Sequence, residues 1–521
     1  MAAETLVNAG VKVTMLDVGV QEGKYKSLIP DMDFDSIRRG EPDQHRFFLG
    51  DDFEAVPWGD VKTGAQLTPP RKFMIDLVDK FLPIASKSFS PMESLALGGL
   101  GSGWGIGCNV FSQRELEACG LDQAKMKDAY RVVSERIGIS GQRDDATPYT
   151  SGDLDNLLPI SDIDDTCSTL LGKYKRKRDA LHTEGFFMGR PALALLTQDR
   201  NERKAASYND MAFYSDKEQS AYRPWITIES LRKASNFEYI SSRLVVSFSE
   251  NDSGVVVNCI DTRTNEKQSF ACKTLVLASG VLGTARIVLR SFPNLSRRLS
   301  LLCNPYTYLP CLQPELMGTK STPHRTGFAQ LAFLHDREKV NFDVSQASIY
   351  SYSSLLLFRL VKETPLGLSD GRKIMQYILP GFTIAGIQHP DTSSDNKYLM
   401  LEQDGASPTG DKLRAEYSLT ETEQAKIEDR EKKFKWAFRK LRCFPIKKVN
   451  PGFGSSIHYA GALPFSDEER PFTLSRSGSL HGSRNVFVAD GSGFKYLPAK
   501  GLTFSLMANA HNVANAVLNN G

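Results

Sequence analysis

Asn485-Val-Phe-Val-Ala-Asp-Gly-Ser-Gly-Phe494 and, just after it, Leu497-Pro-Ala-Lys-Gly-Leu-Thr-Phe-Ser-Leu-Met-Ala-Asn-Ala510 decide how the rest of this chain is read. Val486 to Val488 form a short apolar strand that runs into Asp490-Gly491. Small residues then make a turn, and the spacing of Leu506, Ala510, Val513 and Val517 predicts a helix with one apolar stripe. A carboxylate at a strand end beside the amide-rich start of a helix offers polar groups to a ligand that carries partial charge.

The opposite end of the chain complements it. Residues 1–10 read as a helix with Ala3, Leu6 and Val7 on one face, ended by Gly10, which tolerates the left-handed conformation. In Val11-Lys-Val-Thr-Met-Leu-Asp17 the apolar Val11, Val13 and Met15 alternate with Lys12 and Thr14, and the run ends on an acid. Helix, glycine, apolar strand and terminal acid form the second half of a dinucleotide-binding βαβ unit, whose acid hydrogen-bonds ribose hydroxyls. The first half, a strand and a G-x-G-x-x-G turn that holds the pyrophosphate, is expected before Met1. Either an upstream segment precedes this methionine or the chain has dispensed with the phosphate loop. The register of Gly10 and Asp17 favours the first; taken alone, the segment also fits an ordinary helix and strand.

Between these ends, Leu97-Gly-Gly-Leu-Gly-Ser-Gly-Trp-Gly-Ile-Gly107 is too rich in glycine for regular structure. Leu97, Leu100, Trp104 and Ile106 punctuate it, unlike the polar filler of a linker. This suits backbone passing close to a planar ligand. Leu244–Phe248 and Gly254–Ile260 flank Asn251-Asp-Ser-Gly254 and predict a hairpin. Thr274 to Ala278 is wholly apolar, as a strand covered on both faces must be, and Ser279-Gly280 leads into a helix. Residues from about 300 to 480 carry more aromatics and mixed strands and read as a separate antiparallel-sheet domain. Thr420 to Cys443 predicts an amphipathic helix with Ile427, Phe434, Phe438 and Leu441 on its apolar side. Gly452-Phe-Gly-Ser-Ser-Ile-His458 places a lone histidine shortly before the closing block.

Composition narrows the class. With 521 residues there is room for two or three domains, and 41% hydrophobic with 24% charged residues is globular usage. A net charge of +3 is too balanced for a nucleic-acid partner, and Lys173-Tyr-Lys-Arg-Lys-Arg178 reads as a solvated surface run. The eight cysteines show no metal-type spacing, so no metal is expected, and reduced thiols point to the cytoplasm. No apolar run reaches the ~20 residues of a membrane span.

Taken in order along the whole chain, these segments resemble the glucose-methanol-choline (GMC) flavin oxidoreductases, most closely at Thr274–Arg286, Ser455–Gly461 and Asn485–Ala514. The resemblance implies an α/β fold with a discontinuous Rossmann-like FAD-binding domain from residues 1–300 and 480–521. An α+β substrate domain with a mostly antiparallel, six-stranded sheet would occupy residues 301–479. It implies FAD as cofactor, held by Asp17, Gly98, Gly99, Ser102, Trp104, Val245, Ser279, Gly280, Asp490, Gly491 and Thr503. His458 aligns with the family's catalytic base, which would take the proton of an alcohol, sugar or polyol while a hydride goes to flavin N5. The glycine loop is similar to that of the sugar-oxidising branch. Gly103 stands where some members attach FAD through histidine, so covalent attachment at that position is excluded. Where the family has a second histidine or asparagine, this chain has Ala499-Lys-Gly-Leu502; Lys500 is either a partner for a developing alkoxide or a surface lysine. The electron acceptor would be oxygen, a quinone or a protein. The alternative is a truncated or degenerate flavoprotein fold that binds FAD poorly and catalyses nothing.

Overall fold

The apolar stretches at the two ends of the chain pair with strands from its middle. Val13–Leu16 runs parallel to Phe237–Ile240, with Val13 opposite Phe237. Val486–Val488 runs parallel to Leu275–Leu277. The computed structural model describes residues 1–52, 69–208, 218–293, 298–320, 326–351 and 365–520. The helix Ala2–Asn8 touches both pairs: Ala3 and Val7 pack with Phe237, Val13 and Met15, and Ala2 packs with Val276 and Phe487. It also lies along the last helix, Thr503–Asn520.

The wholly apolar stretch from Thr274 is a strand only over Leu275–Leu277, and Leu275 and Val276 are half-buried rather than covered on both faces. Val13, Met15 and Leu16 are half-buried too. The reason is topological: among the described residues neither parallel pair takes a third strand. The predicted hairpin forms as Arg243–Asn251 and Gly254–Asp261, extended by Lys267–Cys272. Its inner residues Phe248, Val255, Val257 and Cys259 join the main core beneath the helix Val281–Ser291.

A six-stranded sheet forms the other half. Its order is Phe444–Pro445, Tyr306–Leu312, Phe382–Gln388, Ser345–Ser351, Leu331–His335 and Phe186–Gly189, antiparallel throughout. The sheet thus draws on an earlier part of the chain as well as on residues after 300. One face is apolar: Leu309, Cys311, Phe333, Ala347, Ile349, Ala385 and Ile387 pack with Phe434, Ala437 and Phe438. Those last three come from the helix Glu421–Lys440, which starts at a reciprocal Thr420–Glu423 capping box. Each of the buried phenylalanines contributes roughly 2–3 kcal/mol by leaving water. The helix Asp165–Arg176 covers the same face through Cys167, Leu170 and Tyr174. The basic run at its end is only partly solvated, because Lys173 is buried against Gln313. A smaller sheet of Ile84–Ala85, Asp411–Tyr417, Lys397–Gln403 and Leu299–Ser300 packs Leu399, Leu413 and Tyr417 into the main core. Among the described residues no helix is long and apolar enough to cross a membrane.

Candidate active site

The segments singled out in the sequence form one continuous chain of contacts. At the carboxyl end of the first parallel pair, Tyr239 donates a hydrogen bond to Asp17 at 2.9 Å. Burial pushes the Asp17 carboxyl up to about 6, against the pull of that hydrogen bond. The backbone just past Asp17 is tied to the hairpin, since Ser242 N–H donates to the Val18 carbonyl and Arg243 N–H to the Asp17 carbonyl. Val245, two residues further on, packs against the main core. A cavity of about 430 Å³ opens here, lined by Val18, Gly19, Val20, Ser241, Ser242 and Thr262. The crevice beyond the carboxyl ends of parallel strands is where α/β sheets take their ligands.

Val20 then hands the chain on to the glycine loop, exchanging backbone hydrogen bonds with Leu95 and Leu97. Gly98 has φ 85°, and a Cβ there would lie 2.6 Å from Ser102 Oγ and 3.1 Å from the Trp225 nitrogen. Only glycine fits that bend. Gly99 also has a positive φ and opens the short turn Gly99–Ser102. The Ser102 hydroxyl donates to the Leu97 carbonyl, and Trp104 Nε1–H donates to the Tyr222 carbonyl. Beyond the loop, Leu100, Met92 and Ala96 share a cluster with Ile457, the neighbour of His458.

Asp490 is buried and turned inward. It accepts from the hydroxyls of Thr284 at 2.5 Å and Ser492 at 2.6 Å, and burial pushes its carboxyl up. Gly491 lies against Tyr459: its would-be Cβ is 3.1 Å from the Tyr459 carbonyl oxygen, and its own carbonyl accepts from Gly461 N–H. Asp490 thus knits the closing strand to the helix that follows Ser279-Gly280, and Gly491 knits it to the histidine segment. Ala278, Ser279 and Gly280 themselves are exposed. Thr503 opens the last helix just after Gly501, whose Cβ would stand 3.1 Å from the Gly107 carbonyl.

His458 sits where these segments meet the six-stranded sheet. Its Nδ1 is 3.0 Å from Asn304 Oδ1. The Asn304 amide nitrogen donates to the carbonyls of His389 at 2.8 Å and Pro498 at 3.1 Å. That fixes which atom of the amide faces the ring. A carbonyl oxygen accepts only, so the hydrogen-bond network assigns the proton to Nδ1 and leaves Nε2 with a free lone pair. Burial pushes the imidazole down to about 4, so it is neutral at neutral pH. Asn304 is itself held: Cys303 N–H donates to Asp391, and Asp391 is paired with fully buried Lys397 at 2.6 Å.

Lys500 lies elsewhere. It is buried, with Nζ 2.7 Å from Glu115 and 3.0 Å from Asn341 Oδ1. It is therefore not a surface lysine, and its charge is opposed by a buried carboxylate. Burial pushes Glu115 up, against the effect of the neighbouring ammonium. Asn304 and Glu115 are both absent from the sequence reading. Neither stands in a motif, and each meets its partner across more than a hundred residues, so no local signal could have found them.

No protein-family model matches this chain, and no curated protein matches it in sequence. Solved structures do match in shape. Pyridoxine 4-oxidase from Mesorbium loti superposes with a TM-score of 0.57 at 12% identity, covering 99% of this chain and 96% of that one. A mutant formate oxidase from Aspergillus oryzae RIB40, studied for its effect on FAD modification, gives a TM-score of 0.56 at 11% identity over 99% and 95% of the two chains. At these identities the likeness is one of fold.

Proposed function

We propose that this chain is an FAD-dependent oxidoreductase acting on a CH–OH group, with His458 as the base. The observation that carries the proposal is the Asn304–His458 pair, which presents a neutral imidazole with Nε2 unprotonated where the glycine loop, the Asp490 turn and the sheet converge. The residues around the cradle fit a dinucleotide. Asp17 offers a carboxylate to ribose hydroxyls beside a cavity of nucleoside size bordered by Ser242, Val245 follows on the adjoining strand, and Gly99 and Gly105, whose Cβ positions are open, leave bare backbone for a flat ring. Exposed Ser279-Gly280 and the start of the last helix at Thr503 offer small residues and amides to the remainder. The two parallel pairs are read as parts of a Rossmann-like layer.

FAD, when bound, supplies the two-electron hydride acceptor. Nε2 of His458 takes the substrate hydroxyl proton, worth ~10²–10⁴-fold in rate. The Asn304 oxygen holds the ring in the required tautomer and orientation, and stabilises the imidazolium that forms. Lys500 is assigned a supporting role, its ammonium holding Glu115 and Asn341 rather than the alkoxide. Titrating the purified chain with FAD tests the cofactor assignment. Saturable quenching of flavin fluorescence, lost in Gly98→Leu, is expected; absence of saturable binding overturns it in favour of a non-catalytic fold.

A further inference from the structure

The six-stranded sheet has a second face, away from its covering helices. Strand alternation and register place Tyr306, Tyr308 and Pro310 on it, beside Gln388, Gly386 and Ile384, and then Gln346, Ser348 and Tyr350. No residue of this set carries a charge. Tyr306, Tyr308 and Tyr350 are all half-buried, whereas the side chains of the opposite face are sealed beneath helices.

This face abuts the histidine. Tyr306 follows Asn304 by two residues, and Asn304 holds His458. At the same end, Gln346 accepts from Asn109, whose side chain borders Gly501 at the mouth of the last helix. The row Tyr306–Gln388–Gln346 therefore spans from the histidine side to the glycine-loop side. Tyr306 and Tyr308 meet edge to face, 4.7 Å between centroids at 77°. A Cβ on Gly386 would stand 2.0 Å from Tyr306 Oη, so glycine is what lets this phenol lie over the sheet. Tyr350 stands on the same face two strands away, opposite Ile384, which is opposite Pro310.

We propose that this tyrosine-lined face binds the substrate and that the substrate is an uncharged aromatic alcohol, its ring packed among Tyr306, Tyr308 and Tyr350 and its hydroxyl directed to His458. Aromatic rings favour edge-to-face and offset partners, and a wall without a cationic side chain gives no charge compensation for burying a carboxylate or phosphate. The assignment differs from the sugar or polyol implied by the glycine-loop likeness, and it rests on the reading of His458 as the base.

Two tertiary carbinols test it without turnover, because neither has a carbinol hydrogen to lose: dimethyl phenyl carbinol and dimethyl cyclohexyl carbinol. Binding to the purified chain is followed by saturation-transfer NMR and competition. The phenyl compound is expected to bind about tenfold more tightly than the cyclohexyl one, and benzoate not measurably. Tyr308→Leu and Tyr350→Leu should each reduce that ratio several-fold, while Tyr308→Phe keeps it. The ratio is read within one protein, so a general loss of folding does not imitate the effect. Equal affinity for the two carbinols, or a ratio unchanged in both leucine variants, overturns the proposal. If the ratio holds but benzyl alcohol never reduces bound flavin, the aromatic site stands and the role of His458 falls. If flavin is reduced by polyols and not by benzyl alcohol, the reverse holds.

Discussion

The six-stranded sheet and the region built on the two parallel strand pairs are held together by different balances of contacts. In the sheet, Tyr306–Leu312 and Phe382–Gln388 pair along their whole lengths, and Phe186, Phe333, Phe434 and Phe438 are sealed beneath them. Apolar burial dominates there, with buried polar contacts such as Thr307–Glu431 and Asp391–Lys397 beside it. In the other region the parallel strands are three or four residues long, and Met15, Leu16, Leu275 and Val276 stay half-buried. Here buried ion pairs bridge segments far apart in sequence: Arg286 grips Glu93 through two hydrogen bonds, and Lys500 grips Glu115. Such pairs fix geometry more than they add stability, because desolvation offsets most of their attraction.

Removing one partner of a buried pair is the strongest way to break this contrast. Lys500→Met leaves Glu115 buried and uncompensated and should lower unfolding free energy by about 3–5 kcal/mol in urea. Lys500→Met with Glu115→Leu should recover much of it. Arg476→Ala, which cuts an exposed pair with Asp467, should cost under ~1 kcal/mol. If the buried and exposed pairs cost the same, the contrast fails.

Asn304 joins the two halves, and its variants sharpen the account. Asn304→Leu removes the acceptor for His458 Nδ1–H and should slow flavin reduction by roughly 10–100-fold with little change in substrate affinity. Asn304→Asp puts a carboxylate beside the ring and favours its protonated form. The acid limb of the rate profile, set by an imidazole near pH 4, should then move up by ~1 unit or more. An unmoved limb would show that His458 does not set it.

The smallest expected effect is at Asp17. Its carboxyl sits at about 6 in the fold, above its ordinary value, so the native state holds its proton more tightly than the unfolded chain. Stability from this group is present at low pH and is lost as pH rises towards and through 6. Asp17→Asn should therefore stabilise the cofactor-free protein at pH 7 by about 1–2 kcal/mol and weaken FAD binding roughly tenfold. Thermal melts across pH 4–8 and flavin titration read the two effects separately.

What the sequence discloses follows the same division. The closing strand, the Thr420-capped helix and the hairpin are written in local periodicity and capping, and they form within a few residues of their predicted bounds. The limited cover over Leu275 and Val276 is not, because it depends on how many strands stand beside them. His458 is visible from its place before the closing block. Asn304, which gives the imidazole its tautomer, is an unremarked residue before Pro305, and only the folded chain brings the two together. Lys500 stands out as an unusual residue in its stretch, yet its burial is decided by Glu115 on a distant helix.

The most direct test is the anaerobic reduction of bound flavin in His458→Ala, followed by stopped-flow absorbance against the parent protein at pH 7. Flavin is expected to bind with parental affinity and to be reduced at least ~100-fold more slowly. Reduction at the parental rate would contradict the role assigned to His458.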